Sequence, residues 1–171
     1  MPEAKAWLRH IAGAKGPRNL AAEVPRTSGV LERIASGPVM AQALLNVAAN
    51  KGAPGEDGQP VEAVVSNVRS LLPKLQHALL TGSYRPGDVR RVWIPKPGGK
   101  GQRGLGIPNV IDRWVQEAPR LVLDPIFEPL FHDSSHGFRP KRGPQTAIAE
   151  AKRYVEEGHS VVVDLDLSKF F

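Results

Sequence analysis

The sequence predicts an α+β fold: helices first, then a basic β-hairpin, then more helices, and finally one apolar strand. Three observations carry this. Apolar residues recur at helical spacing, as in Val39, Met40, Ala43, Leu44 and Val47. An alternating segment, 88–94, runs into a glycine-rich turn at 97–101 and a returning segment at 103–108. A valine run at 161–163 leads into Asp164 and Asp166.

The elements follow in order. Residues 1–27 mix a short apolar pattern (Trp7, Leu8, Ile11) with Gly16, Pro17 and Pro25. This predicts a poorly ordered N-terminal extension carrying one helical turn or two. Helical spacing begins at Val30, Leu31 and Ile34 and breaks at Gly37. Pro38 suits the first turn of the next helix, where its missing N–H costs nothing, and Gly52 is placed to stop it. After a dense turn at 53–58, Val61, Val64, Val65, Val68 and Leu72 predict another helix. Pro73 should end it and start a further one through Leu75, Leu79 and Leu80, closed by Gly82. In the hairpin, 88–108, Arg90, Val92 and Ile94 share one face, while Val89, Arg91 and Trp93 share the other.

Residues 110–122 carry the clearest stripe: Val110, Ile111, Trp114, Val115, Ala118, Leu121 and Val122. Pro119 lies inside it, and an interior proline costs a helix about 3 kcal/mol, so a kink or an early end is expected. A helix from Pro144 to Glu157, closed by Gly158, precedes a buried strand at 160–166. That strand has nothing after it to complete a sheet, which suggests a truncated chain. Trp114, Phe127, Phe131 and Phe138 read as core. The five histidines lack ligand spacing and read as surface or loop residues, and Ser134 and Ser135 beside His136 lack the turn of a nucleophile elbow.

Composition narrows the function. The 171 residues hold 23 Lys+Arg against 17 Asp+Glu, a formal charge of +6. With 41% hydrophobic and 23% charged residues, the chain is of ordinary globular type. There is no cysteine, which excludes disulfides, thiolate nucleophiles and cysteine-bound zinc. No apolar run approaches the roughly 20 residues of a membrane span, and the N-terminus has no signal-peptide core. A cytoplasmic protein without a membrane partner is expected.

Charge is unevenly placed. Residues 84–113 hold seven Arg/Lys and two Asp, a net of +5, and residues 136–153 hold five Arg/Lys and one Glu, a net of +4. The stretches 114–135 and 154–171 are each −3. Basic blocks between acidic ones suit a polyanion, although an ordinary solvated surface fits as well. Lys96 and Arg103 flank a glycine-rich tip that includes Lys100, so both can approach one anion, although taken alone the hairpin fits an exposed basic turn better. Arg90 and Arg91, with Tyr84, Arg85 and Trp93, add charge and stackable rings suited to single-stranded nucleic acid. Asp164 and Asp166, at i and i+2, suit a hard cation such as Mg²⁺ bound together with phosphate oxygens. The same pair also fits an exposed strand end, an aspartyl-nucleophile phosphatase or a metal-dependent glycosyltransferase.

Several blocks, taken in order, resemble the front half of the bacterial group II intron-type reverse transcriptases, the intron-encoded maturase family. They are Asn50 to Gly58, Tyr84-Arg85-Pro86, Val89 to Gly99, and Arg103 to Pro108 with Asp112-Arg113. Asp124-Pro125-Ile126-Phe127, His136-Gly137-Phe138-Arg139-Pro140 and Asp164 to Phe171 continue the series. The similarity runs from about residue 28 to the end.

The resemblance implies helical fingers with a basic β-hairpin over 28–143. It also implies the start of a reverse-transcriptase palm over 144–171, ending at the first catalytic motif. On it, Asp166 is the catalytic, metal-binding aspartate, and Phe171 is the steric gate that excludes a 2′-hydroxyl. Lys96 and Arg103 hold the dNTP triphosphate, Ile107 and Pro108 lie near the templating base, and Arg90, Arg91 and Arg139 contact RNA.

The implied partners are an RNA template (intron RNA), a DNA primer and dNTP. The implied reaction is in-line attack of a primer 3′-hydroxyl on the α-phosphate, served by two Mg²⁺ ions about 3.5–4 Å apart. In the family the other two metal-binding aspartates stand in a Tyr-x-Asp-Asp turn that this sequence lacks, so the chain alone is expected not to polymerise. Departures from the pattern are Pro119, Lys141-Arg142-Gly143 in place of Gly-Arg-Ser, and a slightly longer hairpin tip; they fit a decayed gene copy or a trimmed chain. The alternative is a non-catalytic basic RNA-binding module. A phosphatase using Asp164 as nucleophile and Asp166 as acid/base leaves the hairpin unexplained. An exposed strand edge at 160–166 would favour self-association.

Overall fold

The computed structural model describes residues 1–13, 29–99 and 101–167. It divides into two compact units, Met1–Ile126 and Phe127–Phe171. The first holds α1 (Pro2–Gly13), α2 (Val30–Ile34), α3 (Gly37–Ala49), α4 (Val61–Ser66), α5 (Val68–Leu80), β1 (Arg90–Pro95), β2 (Gln102–Ile107) and nearly all of α6 (Val110–Phe127). The second holds a 3₁₀ turn, Glu128–Leu130, and α7 (Pro144–Glu156). No described helix is long and apolar enough to cross a membrane.

The first unit is built around α3. Its stripe of Val39, Met40, Ala43, Leu44 and Val47 is buried throughout, against Leu8 and Ala12 of α1, Val64, Val65 and Val68 of α4 and α5, and Trp114 of α6. The Trp114 indole is fully buried and donates Nε1–H to the Met40 carbonyl at 2.7 Å, so its polar edge is satisfied.

Three expectations are corrected in this unit. Residues 2–13 form a packed helix and not a loose extension. Ala4, Trp7, Leu8, Ile11 and Ala12 recur at i, i+3, i+4, i+7 and i+8, which makes one apolar face. Gly16, Pro17 and Pro25 lie outside the described residues. The break expected at Pro73 falls instead at Asn67, whose side-chain amide donates to the Ala63 carbonyl at 3.1 Å and competes with the helix ladder. α5 then runs through Pro73, held by buried Val68, Leu72 and Leu75. Of the kink or early end expected at Pro119, the early end does not occur: α6 runs on through it, because Trp114, Ala118 and Val122 stay in the core on either side.

The second unit has no buried residue among those described, and polar contacts organise it. α7 starts where expected: Pro144 fills the first turn, and the Gly143 N–H donates to Thr146 Oγ1 at 3.0 Å. Phe127, Phe131 and Phe138, expected in the core, are exposed. Residues 161–167 form no strand, and their apolar side chains are 69% to 89% exposed. The valine run has the right propensity for a strand. A strand also needs a partner for its backbone groups, and the described residues pair only β1 with β2. The strand edge expected to drive self-association is therefore missing too.

Candidate nucleic-acid interface

The hairpin is rooted in a buried polar anchor at the start of α6. Asp112, only 6% exposed, accepts the Tyr84 hydroxyl on Oδ1 and the Gly87 N–H on Oδ2 at 3.2 Å. Burial and then the Asp112 contact push the Tyr84 hydroxyl above the ordinary tyrosine range. Buried Asn109 accepts the Asp57 N–H at 3.2 Å, and Arg113 donates to the Ala53 carbonyl at 2.6 Å. Side chains are excluded where the turn meets the helix: a Cβ on Gly55 would lie 2.6 Å from the Asn109 backbone nitrogen. The blocks 50–58, 84–87 and 109–113 thus form one structural joint.

From this joint β1 and β2 pair antiparallel, with Arg90 opposite Ile107, Val92 opposite Leu105 and Ile94 opposite Arg103. Lys96 N–H donates to the Gly101 carbonyl at 3.1 Å, which carries the pairing one step further. Side chains alternate, so Arg90, Val92, Ile94, Lys96, Arg103, Leu105 and Ile107 share one face. Lys96 and Arg103 are diagonal neighbours on it, a relation of about 7–8 Å between strands. From Val89 to Ile107 no acidic residue interrupts the positive charge. Arg91 lies on the opposite face, its guanidinium carbon 5.8 Å from the Trp93 ring centroid. Ile107 and Pro108 are half-buried where β2 joins α6. Lys100 lies outside the described residues.

The remaining predicted site residues belong to the second unit. Arg139 is turned inward, its side chain 8% exposed. Its guanidinium donates to Glu128 Oε1 at 2.9 Å and to the His132 and Ser135 carbonyls at 2.8 and 3.0 Å. It also lies 5.4 Å from the Phe131 ring centroid. Arg139 therefore ties its own loop together, whereas the resemblance implied an RNA contact. Asp164 and Asp166 stand in the exposed stretch 161–167, and Phe171 lies outside the described residues. Among the described residues, no three His, Cys, Asp or Glu side chains gather to hold a metal ion. Asp166 and its neighbour do not make a two-magnesium donor set.

Sequence reading missed one cluster. His136 Nε2 lies 2.6 Å from Glu150 Oε2, and its Nδ1 lies 2.9 Å from Thr146 Oγ1. Ser134 Oγ donates to Glu150 Oε1 at 2.7 Å and meets the Tyr154 hydroxyl at 2.9 Å. Hydrogen bonds from Ser134, His136 and Tyr154 hold the Glu150 carboxyl well below the ordinary range, at about 2. Ser134 faces Glu150 and not His136, so these two residues do not form a nucleophile pair.

No protein-family model matches the chain. Among curated proteins, YkfC of Escherichia coli (strain K12) is 37% identical over 152 residues, covering 85% of this chain and 40% of that protein. Group II intron-encoded protein LtrA of Lactococcus lactis subsp. cremoris is 46% identical over 82 residues, covering 48% of this chain and 14% of LtrA. The putative COX1/OXI3 intron 1 protein of Saccharomyces cerevisiae is 38% identical over 123 residues, covering 71% of this chain and 14% of that protein.

The chain is homologous to part of a group II intron-encoded maturase reverse transcriptase.

It spans well under half the length of each of these relatives. Kinship with the family implies Mg²⁺ for its full-length reverse transcriptases. In this reverse-transcriptase homologue the blocks 50–58, 84–87 and 109–113 form the packed root of the hairpin, and the hairpin carries the cations. Sequence spacing could not reveal the root, because Tyr84 and Asp112 are separated by 28 residues.

Proposed function

We propose that this chain supplies the template- and nucleotide-binding part of a group II intron-type RNA-directed DNA polymerase. In this reading residues 28–143 are fingers and 144–171 begin the palm. The single observation that supports it best is the shared face of Arg90, Lys96 and Arg103 on a hairpin free of acidic side chains and rooted on buried Asp112. Lys96 and Arg103, close to the tip, hold the dNTP triphosphate. Arg90 and Arg91 contact the RNA backbone, and Ile107 and Pro108 lie beside the templating base. Asp166 is the first metal-binding carboxylate, and Phe171 excludes the 2′-hydroxyl. Arg139 serves by holding the loop between the 3₁₀ turn and α7.

When bound, Mg²⁺ would polarise the α-phosphate and lower the pKa of the primer hydroxyl. The chain's own contribution is to neutralise and orient phosphates. A second reading, RNA binding without catalysis, draws on the same hairpin together with the exposed, unclustered Asp164 and Asp166.

Filter binding of a single-stranded RNA across a salt series tests the shared element. Arg90→Ala and Arg91→Ala should each lower the salt slope by about one, and Asp166→Ala should leave it unchanged. Unchanged slopes in both cation variants would refute the phosphate-binding role. Primer extension on poly-rA with Mg²⁺ separates the two readings: robust extension by this chain alone would overturn the expectation that it needs further carboxylates.

A further inference from the structure

The face of the hairpin turned away from Lys96 and Arg103 carries a second feature. Trp93 is 57% exposed there, although it is one of only three tryptophans and the most exposed large aromatic in the first unit. The Arg91 guanidinium lies beside its ring. The β2 residues opposite Arg91 and Trp93 are Gly106 and Gly104.

These two glycines differ from those at the tip. Gly98, Gly99 and Gly101 have φ between +74° and +84°, where a side chain would be strained. Gly104 has no such backbone requirement, and glycine inside a strand weakens it. A Cβ on Gly106 would come within 3.0 Å of Val89 Cγ1, which is tight. A Cβ on Gly104 would meet Trp93 Cζ3 at 3.5 Å, an ordinary contact. Neither conformation nor crowding explains Gly104. Any longer side chain at that position would, however, reach over the indole and cover it.

From this we infer that Trp93, flanked by Arg91 and left uncovered by Gly104, is a stacking platform for an unpaired nucleobase of a single-stranded RNA. The hairpin is then two-sided: one face takes phosphates and the other a base. The ring supplies the π-surface, Arg91 neutralises the adjoining phosphate, and the absence of acidic residues from 89 to 107 favours a polyanion over a protein partner. The inference extends the RNA-binding reading and rests on it.

The test uses the full chain and two probes of about 12 nucleotides, a length within the range of single-strand sites: oligoadenylate and an abasic ribose-phosphate polymer. Trp93→Ala should weaken oligoadenylate binding about 5- to 100-fold, as expected for one lost base stack, and leave abasic binding unchanged. Trp93→Phe should restore most of the affinity. Gly104→Val should reproduce the loss while leaving the urea midpoint equal or higher, which separates covering the ring from damaging the strand. Oligoadenylate should quench tryptophan emission in the wild type and not in Trp93→Phe, because Trp114 is buried and Trp7 is packed partly buried against the core.

Equal affinity of wild type and Trp93→Ala for oligoadenylate would overturn the inference. So would an equal loss on the abasic polymer. If Trp93→Ala has no effect while Arg90→Ala and Arg91→Ala still lower the salt slope, the stacking platform alone fails. If the wild type binds neither probe, both readings fail.

Discussion

Tyr84→Phe removes a single hydroxyl from the joint beneath the hairpin. In the wild type that hydroxyl donates to Asp112, which is nearly buried and otherwise receives the Gly87 N–H. A hydrogen bond to a charged group is worth about 1.5–3 kcal/mol, and a buried carboxylate that keeps the Gly87 N–H as a second donor falls in the lower part of that range. We expect Tyr84→Phe to cost about 2 kcal/mol. Asp112→Ala strands two donors and should cost about 3 kcal/mol. Once Asp112 is gone the Tyr84 hydroxyl has lost its acceptor, so the double variant should be little worse than Asp112→Ala, a coupling of about 1.5 kcal/mol. Urea unfolding followed by near-ultraviolet circular dichroism of Trp114 reads this, since 2 kcal/mol moves the midpoint by about 1 M. If the two single costs add to within about 0.5 kcal/mol, the reasoning is refuted. The raised pKa of Tyr84 has its own signature. Its stabilisation is complete below about pH 10, the ordinary tyrosine value, and is lost as pH rises beyond it. Phenylalanine should remove that alkaline loss.

Three further outcomes follow from other parts of the chain. Glu150 has its pKa lowered from 4.5 to about 2, so its contribution is present above pH 4.5 and fades as pH falls toward 2; Glu150→Gln should flatten this acid limb in hydrogen exchange of α7 amides. Pro119→Ala restores a backbone donor inside α6, which continues regardless, and should raise stability by about 1–3 kcal/mol in urea titrations. Gly55→Ala forces a Cβ to 2.6 Å from Asn109 backbone atoms and should destabilise by about 1–3 kcal/mol, with Gly58→Ala as a strained but uncrowded comparison.

How much was legible in the sequence depended on the range of the interaction. The α3 stripe, the α7 start at Pro144 and the glycine-tipped hairpin with its two faces were readable, because helical period, turn chemistry and strand alternation are local. The resemblance to intron reverse transcriptases was readable too, since it rests on the order of short blocks. The prolines misled. Local rules place a break at Pro73 and a kink or an early end at Pro119, and the burial of Leu72, Leu75, Ala118 and Val122 carries both helices past their prolines. The helix 2–13 was obscured by the glycine and prolines that follow it in sequence.

What only the tertiary structure decided concerns partners distant along the chain. Propensity marks 160–166 as a strand, yet a strand exists only where a neighbour accepts its backbone bonds. Arg139 looks like a free cation until its loop is folded around it. His136 looks like a surface residue until α7 brings Glu150 alongside. The sequence determined which residues could carry charge, stack or turn; packing determined which of them remain turned toward solvent, because a group such as the Arg139 guanidinium uses most of its donors on its own loop.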